Sequence, residues 1–332
     1  MIFIYGKERF QTSVTHDNTY LNNFCKRHEL QTVRDIRNAE TLISVWWNTT
    51  PIIPGKKYII YISNFVTLEN KALLNRIITM DSVNPKKITW ICPSTKQKEE
   101  FKDVGLKTEF CPFHIHDCYY NKTETDDSIF NQKLLLYNGT LITADDARSI
   151  LKEKLVAGSF QRDSLGSVLK KPKWQKGPEN IISLIKDSKK KKDILLLLCG
   201  PRRHYIISEC QKHGINYLYL CNKQLTGDDI GYNTFSQEET FALYNLIDFY
   251  ICGSVLEGGP KCIIESAHVN IPIFSQDVGL ASDYIPKSFL QNSFKSNDLD
   301  LFIEKIKDFH FIKNYPSLSF KDNKLLSIIN EG

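Results

Sequence analysis

The residues of this chain best suited to chemistry lie between Gly253 and Pro286, in the run GSVLEGGPKCIIESAHVNIPIFSQDVGLASDYIP. Two carboxylates, Glu257 and Glu265, have seven residues between them. An apolar strand, Phe249 to Cys252, leads through Gly253 to the first of them. The second falls about two turns along a predicted helix, so that both point towards the same cleft. Gly258 and Gly259 allow close approach of backbone to a ligand. Pro260 suits the first turn of a helix, and the backbone N–H of Lys261 belongs to the unpaired donors of a helix N-terminus, which attract anions.

Those residues need a scaffold, and the sequence predicts one. A short apolar run, a turn and an amphipathic helix recur along the chain. In the first half, strands are expected at Ile2 to Tyr5, Leu42 to Trp47, Tyr58 to Ser63, Ile88 to Cys92 and Thr108 to Cys111. Leu21, Phe24, Cys25 and His28 follow helical spacing, as do Leu73, Leu74, Ile77 and Ile78. Ser94 with Gln97 reads as a capping box. In the second half, strands are expected at Lys154 to Phe160, Asp193 to Cys199, Tyr217 to Cys221, Phe249 to Cys252 and Ile271 to Phe274. Ser236 and Glu239 form a second capping box, and a final helix carries Leu299, Phe302, Ile303, Ile306 and Phe309 on one face. Continuous apolar strands alternating with helices are the mark of parallel sheets covered on both sides. The fold class is therefore α/β, with two doubly wound Rossmann-like domains at 1–150 and 151–332. The boundary is placed in the polar stretch between Asp126 and Glu153, and the last helix is expected to pack back on the first domain. A ligand belongs at the carboxyl ends of the strands, in the cleft between the domains.

Composition narrows the function. The 332 residues are 42% apolar and 24% charged, which excludes collagen-like, disordered and disulfide-scaffold classes. Nine cysteines without a C-x-x-C pair read as reduced, buried thiols rather than a zinc site. The net charge of +5 suits an anionic ligand or weak contact with a membrane surface and does not require nucleic acid. With no signal-like start and no apolar run near 20 residues, the chain reads as cytoplasmic or peripheral to a membrane. Gly6 is followed by Lys7 rather than by a G-x-G-x-x-G run, which disfavours a dehydrogenase, and no P-loop, G-x-S-x-G or H-E-x-x-H motif occurs. Asp298 and Asp300 sit in the first turn of a helix, where acidic residues favour the dipole without any metal. The run Lys189 to Lys192 reads as the solvated end of a helix. His114 and His116, two apart after a strand, are the weak acceptor-side candidates.

The Gly253 to Pro286 run resembles the E-x(7)-E region of retaining glycosyltransferases of the GT-B fold, especially glycosyltransferase family four. In that family a strand leads to Pro-Ser, E-G-F-G/P, aliphatics, E-A and then G-x-P. Here Gly253-Ser254 stands for Pro-Ser, Gly259 replaces the aromatic, Glu265-Ser266-Ala267 matches the E-A step and Asn270-Ile271-Pro272 replaces G-x-P. The family's second domain also opens with a strand, a basic residue and Lys-Gly before a helix. This chain has Val156 to Phe160, then Arg162, then Lys176-Gly177 before Pro178. The resemblance covers residues 150 to 290.

It implies transfer of a hexose from a GDP- or UDP-sugar, GDP-mannose and UDP-glucose among them, to an unidentified acceptor, with retention and by front-face attack. Negative charge then develops on the leaving diphosphate, where fixed cations and backbone donors stabilise the transition state. By the resemblance, Arg162 and Lys176 clamp the diphosphate, Glu257 binds hydroxyls of the transferred sugar, and Glu265 accepts from the ribose. Ser254, Gly258, Gly259, Pro260 and Lys261 complete the donor loop. Gly6 joins the donor set, and Asn222, after the strand Tyr217 to Leu220, lies nearest the base. No cofactor beyond the donor and no metal is expected. A GT-B nucleotide-sugar epimerase, a catalytically silent nucleotide-sugar-binding protein and, more remotely, a nucleic-acid-binding module using Lys189 to Lys192 and Pro201 to His204 are the alternatives.

Overall fold

A computed structural model describes all residues except 7–12, 46, 63–70, 116–126, 167, 313–317 and 332. The chain divides into two compact units. One comprises Met1–His116 with Pro316–Gly332, the other Asp117–Tyr315.

The first unit holds β1 (Ile2–Tyr5), α1 (Ser13–Arg27), β2 (Thr41–Ser44), β3 (Lys57–Tyr61), α2 (Lys71–Val83), β4 (Ile88–Cys92), α3 (Thr95–Asp103) and β5 (Thr108–Phe110). Its five described strands run parallel in the order β1-β2-β3-β4-β5. Successive strand residues point to opposite faces, and both faces are covered. Ile43, Ile59 and Ile91 pack with Phe24 on one side. Leu42, Tyr58, Ile60 and Trp90 pack with Phe101 on the other. That double burial is why these strands read as unbroken apolar runs. The stripe on α2 is narrower than its spacing suggests, because Ile78 stays exposed while Leu74 and Ile77 are buried. Ser94 caps α3 by accepting from Gln97 N at 3.1 Å. Phe309 closes a 3-10 turn and not the last helix of the chain. A further helix, Leu318–Asn330, packs Leu325 and Ile328 into the α1 side of this core.

The second unit begins with β6 (Leu134–Tyr137) and β7 (Thr140–Leu141), then α4 (Ala144–Glu153) and β8 (Leu155–Ser159). Next come the hairpin β9 (Ser164–Leu165) and β10 (Val168–Pro172), α5 (Pro178–Lys186), β11 (Ile194–Cys199), α6 (His204–His213) and β12 (Tyr217–Cys221). The chain continues through α7 (Gln237–Tyr244), β13 (Phe249–Cys252), α8 (Lys261–Val269), β14 (Ile273–Gln276), α9 (Ala281–Tyr284), β15 (Leu290–Gln291) and α10 (Ser296–Lys305). Among the described residues the large sheet has the order β15-β14-β13-β8-β11-β12-β6-β7. It is parallel except at β6 and β7.

The expected boundary at residue 150 therefore differs from the division at 116/117. The stretch read as linker turns back through Asn138 and Gly139, both at positive φ, and β6 pairs antiparallel with β12, Leu220 against Leu135. Asn-Gly between two apolar runs is the hairpin signal of a primed turn. Elsewhere local chemistry agrees with the sequence reading. Ser236 and Glu239 form the capping box of α7, and Pro178 is the first residue of α5. Asp300 accepts from Ser188 Oγ at 2.5 Å, and Asp298 folds back on the N-terminus of α10. Both are structural. In the lysine run, Lys191 donates to His213 O at 2.6 Å, so its last turn is tied to α6 rather than fully solvated. The eight cysteines described are free and buried.

Candidate functional site

Strand order places the site. From β8 the chain goes to β11 and β12 on one side, then crosses to β13, β14 and β15 on the other. Such reversals open a crevice at the carboxyl ends of the two central strands. The segments leaving those ends are 160–176, after β8, and 253–260, after β13. They carry Arg162 and Lys176 on one side and Ser254, Glu257, Gly258, Gly259 and Pro260 on the other.

Two glycines allow the segments to touch. Gly177 sits in the left-handed region at φ +53°, and a Cβ there would lie 1.9 Å from Gly253 O. A Cβ on Gly253 would lie 2.4 Å from Gly177 O. No other residue fits at either place. The contact is laced by Val255 N donating to Gln175 O at 3.0 Å and Asn180 Nδ2 donating to Gly253 O at 2.9 Å.

On this double backbone the side chains of Lys176, Ser254 and Glu257 meet. Lys176 Nζ pairs with Glu257 Oε2, and Ser254 Oγ donates to Glu257 Oε1. Ser254 is fully buried, so it fixes the carboxylate from below. Gln161 donates from Nε2 to Lys176 O at 3.1 Å. A third glycine, Gly279 at φ +58°, supports the turn from beneath. A Cβ there would meet Gly258 O at 2.7 Å and Glu257 O at 2.8 Å. Sequence reading passed over Gly279, although a glycine shortly after the β14 strand was a visible signal.

Glu265 is placed on α8, half-buried, and accepts from Tyr244 Oη at 2.9 Å. Burial pushes its carboxyl up from the usual range, while the Tyr244 hydrogen bond, Lys261 and Lys176 hold it down. Pro260 is the N-cap of α8 and Lys261 its first residue. Lys173 was not anticipated. Burial, then Arg162 and Lys176, push its amine down to about 8. A buried pair, Arg203 Nε to Asp163 Oδ2 at 3.4 Å, lies in the same unit. Burial raises Asp163 to about 6 against the pull of Arg203.

The described contacts of Asn222 lie elsewhere in the same unit. Asn222 is exposed as a residue, but its amide is occupied. It donates to Tyr232 O at 2.7 Å and accepts from Lys133 Nζ at 2.7 Å, so it braces its own loop. Gly6, at φ +105°, and His114 belong to the first unit. His114 is no surface residue: it is buried and stacks on Tyr20 with ring centroids 3.9 Å apart. His116 lies outside the described residues. Among the described residues no group of three or more His, Cys, Asp or Glu side chains is placed to hold a metal ion, and no helix is long and apolar enough to cross a membrane.

The same architecture recurs in solved structures. Anabaena HepE in complex with UDP and glucose superposes with a TM-score of 0.66 at 10% identity, over 100% of this chain and 99% of that one. The sucrose-phosphate synthase of Thermosynechococcus elongatus gives 0.53 at 11% identity, covering 98% and 80%. S. aureus TarM, bound to Fondaparinux, alpha-GlcNAc-glycerol and UDP, gives 0.53 at 12%, covering 87% of this chain and 55% of that chain. No curated protein matches the chain by sequence. The shared fold is the GT-B arrangement of two Rossmann-like domains. Residues 167–316, the stretch that carries Lys176, Glu257 and Glu265, match the family model of glycosyl transferases group 1.

Proposed function

We propose that the chain is a retaining glycosyltransferase that takes a hexose from a UDP-sugar, with GDP-sugars as the second choice, and passes it to a hydroxyl acceptor without a metal. The carrying observation is the Lys176–Glu257 pair, held at the switch point by Gly177 against Gly253. UDP in the HepE and TarM complexes favours the uridine donor.

In this reading Lys176 exchanges part of its contact with Glu257 for the donor phosphate, and Arg162 joins it. As the bond from the anomeric carbon to the phosphate oxygen breaks, those cations neutralise the charge that develops. The acceptor oxygen bonds to the anomeric carbon on the same face, and its proton passes to the leaving phosphate. Glu257, aimed by Ser254, takes hydroxyls of the sugar. Glu265, braced by Tyr244, accepts from the ribose. His114 is proposed only as packing on the acceptor-side unit, and the acceptor itself is left to experiment.

Calorimetric titration with UDP and GDP, each with and without EDTA, tests the donor and the metal-free claim. Equal binding with chelator is expected; binding abolished by EDTA overturns the metal-free claim. NMR of turnover with an α-linked UDP-hexose should give an α-linked product. A β-linked product overturns retention.

A further inference from the structure

We infer that Tyr244 is a positioning residue for Glu265, whose carboxylate it fixes so that the site selects a nucleotide with both ribose hydroxyls in place; this rests on the donor reading above. Tyr244 Oη donates to Glu265 Oε2 at 2.9 Å. Tyr244 is the last residue of α7 and Glu265 lies midway along α8, so the bond joins two helices. The tyrosine is fully buried, whereas the glutamate is only half-buried.

A frame of three rings holds the hydroxyl. Tyr244 stacks on Tyr250 with ring centroids 5.5 Å apart and planes at 20°. Phe160 stands edge-on to both, 5.2 Å from Tyr244 and 5.4 Å from Tyr250. Its backbone joins the frame, since Phe160 N donates to Tyr250 Oη at 2.9 Å. Gly158 leaves the space: a Cβ there would lie 2.6 Å from Ile247 Cδ1 and 3.1 Å from Phe160 Cζ. Phe160 directly follows β8 and Tyr250 lies within β13. The frame thus rests on the two strands that lead to Arg162 and Glu257.

A glutamate side chain has several rotatable bonds, and fixing it beforehand removes an ordering cost from binding. An ionised carboxylate only accepts hydrogen bonds and can take two donors side by side, which the neighbouring hydroxyls of a ribose supply. Burial favours the neutral acid of Glu265, and the Tyr244 bond works against it, in favour of the accepting form. A nucleotide without ribose hydroxyls gains nothing from this arrangement.

The test is calorimetry of UDP and its 2′,3′-dideoxy analogue with wild type, Tyr244→Phe and Phe160→Leu, beside urea unfolding of each protein. Wild type should prefer UDP by at least about tenfold, the worth of a charged hydrogen bond. Tyr244→Phe should bind UDP about tenfold more weakly and the dideoxy nucleotide as wild type does. Phe160→Leu keeps the hydroxyl but loosens its frame, and should lower the preference about threefold. If Tyr244→Phe weakens both nucleotides equally, or neither, the tyrosine does not act through the ribose contact, and the inference is wrong while the donor reading stands. If Tyr244→Phe shows no cooperative unfolding, Phe160→Leu decides: a full preference for UDP overturns the inference, and a reduced one with unchanged dideoxy binding upholds it. A wild type that binds both nucleotides alike removes the ribose role of Glu265 and the inference with it. Binding of neither UDP nor GDP by wild type overturns the donor reading as well.

Discussion

Charge is handled in opposite ways in the two units. In the first, Asp322 on the C-terminal helix accepts from Tyr20 Oη at 2.7 Å, from Arg27 Nε at 3.0 Å and Nη2 at 3.1 Å, and lies 3.0 Å from His28 Nε2. One carboxylate thus meets partners from α1 and from His28 just after it, and the result is an anchor that holds Leu318–Asn330 to the core. In the second, Lys176 is paired with Glu257, and Lys173 feels Arg162, Lys176 and Arg202 against the pull of Glu257. Three cations and one carboxylate act on Lys173 there. A matched cluster stabilises the fold and gives nothing to a ligand. A mismatched one costs stability and is relieved by an anion. The difference separates structure from site more sharply than residue type does, since both clusters set basic side chains around a carboxylate.

The largest expected effect falls on a buried, matched pair of the second unit. Arg203→Met leaves Asp163 buried and unpaired, and loss of one partner of a buried pair costs roughly 3–5 kcal/mol. Urea unfolding should show a loss of that size. Asp322→Ala strips several charged hydrogen bonds and should cost about 2–4 kcal/mol, with UDP binding unchanged. A variant with native stability would show that the anchor is decorative. Burial raises the Asp322 carboxyl, but Arg27, His28 and Tyr20 together hold it below its usual range. Its stabilisation is therefore present above about pH 4 and lost as pH falls through the depressed native value. The gap in urea midpoint between wild type and Asp322→Ala should be full at pH 6 and shrink towards pH 3.

On the site side the signs reverse. Lys176→Met should leave the unfolding midpoint nearly unchanged and weaken UDP by about 1.5–3 kcal/mol, the worth of a charged hydrogen bond. A large stability loss with intact UDP affinity would make Lys176 an anchor like Asp322. Glu265→Ala should weaken UDP and UDP-sugar alike. Glu257→Ala should lower transfer while leaving UDP affinity within about 0.5 kcal/mol of wild type or tighter, because a carboxylate that competes for Lys176 is gone. Loss of free UDP binding in Glu257→Ala with Glu265→Ala unaffected would invert the two roles.

The alternation of apolar strands with capped helices, the Glu257 to Glu265 spacing and the Lys176-Gly177 step are legible in the sequence, because each rests on neighbours a few residues apart. Ser236 caps α7 through Glu239, and Pro178 opens α5, by contacts that local chain geometry dictates. The Asn138-Gly139 turn was equally local and went unread because the polar stretch around it looked like a linker. Other features depend on partners far along the chain. Lys176 and Glu257 are 81 residues apart, and they meet only because β8 lies beside β13 and two glycines let their backbones touch. Asn222 is exposed and polar in the sequence, yet tertiary contacts with Lys133 and Tyr232 occupy its amide. The chain by itself determined which segments become strands and helices and which glutamates lie on one loop and helix. The tertiary structure alone decided which charges meet and which are buried, because burial and the approach of distant side chains set the cost of each charge.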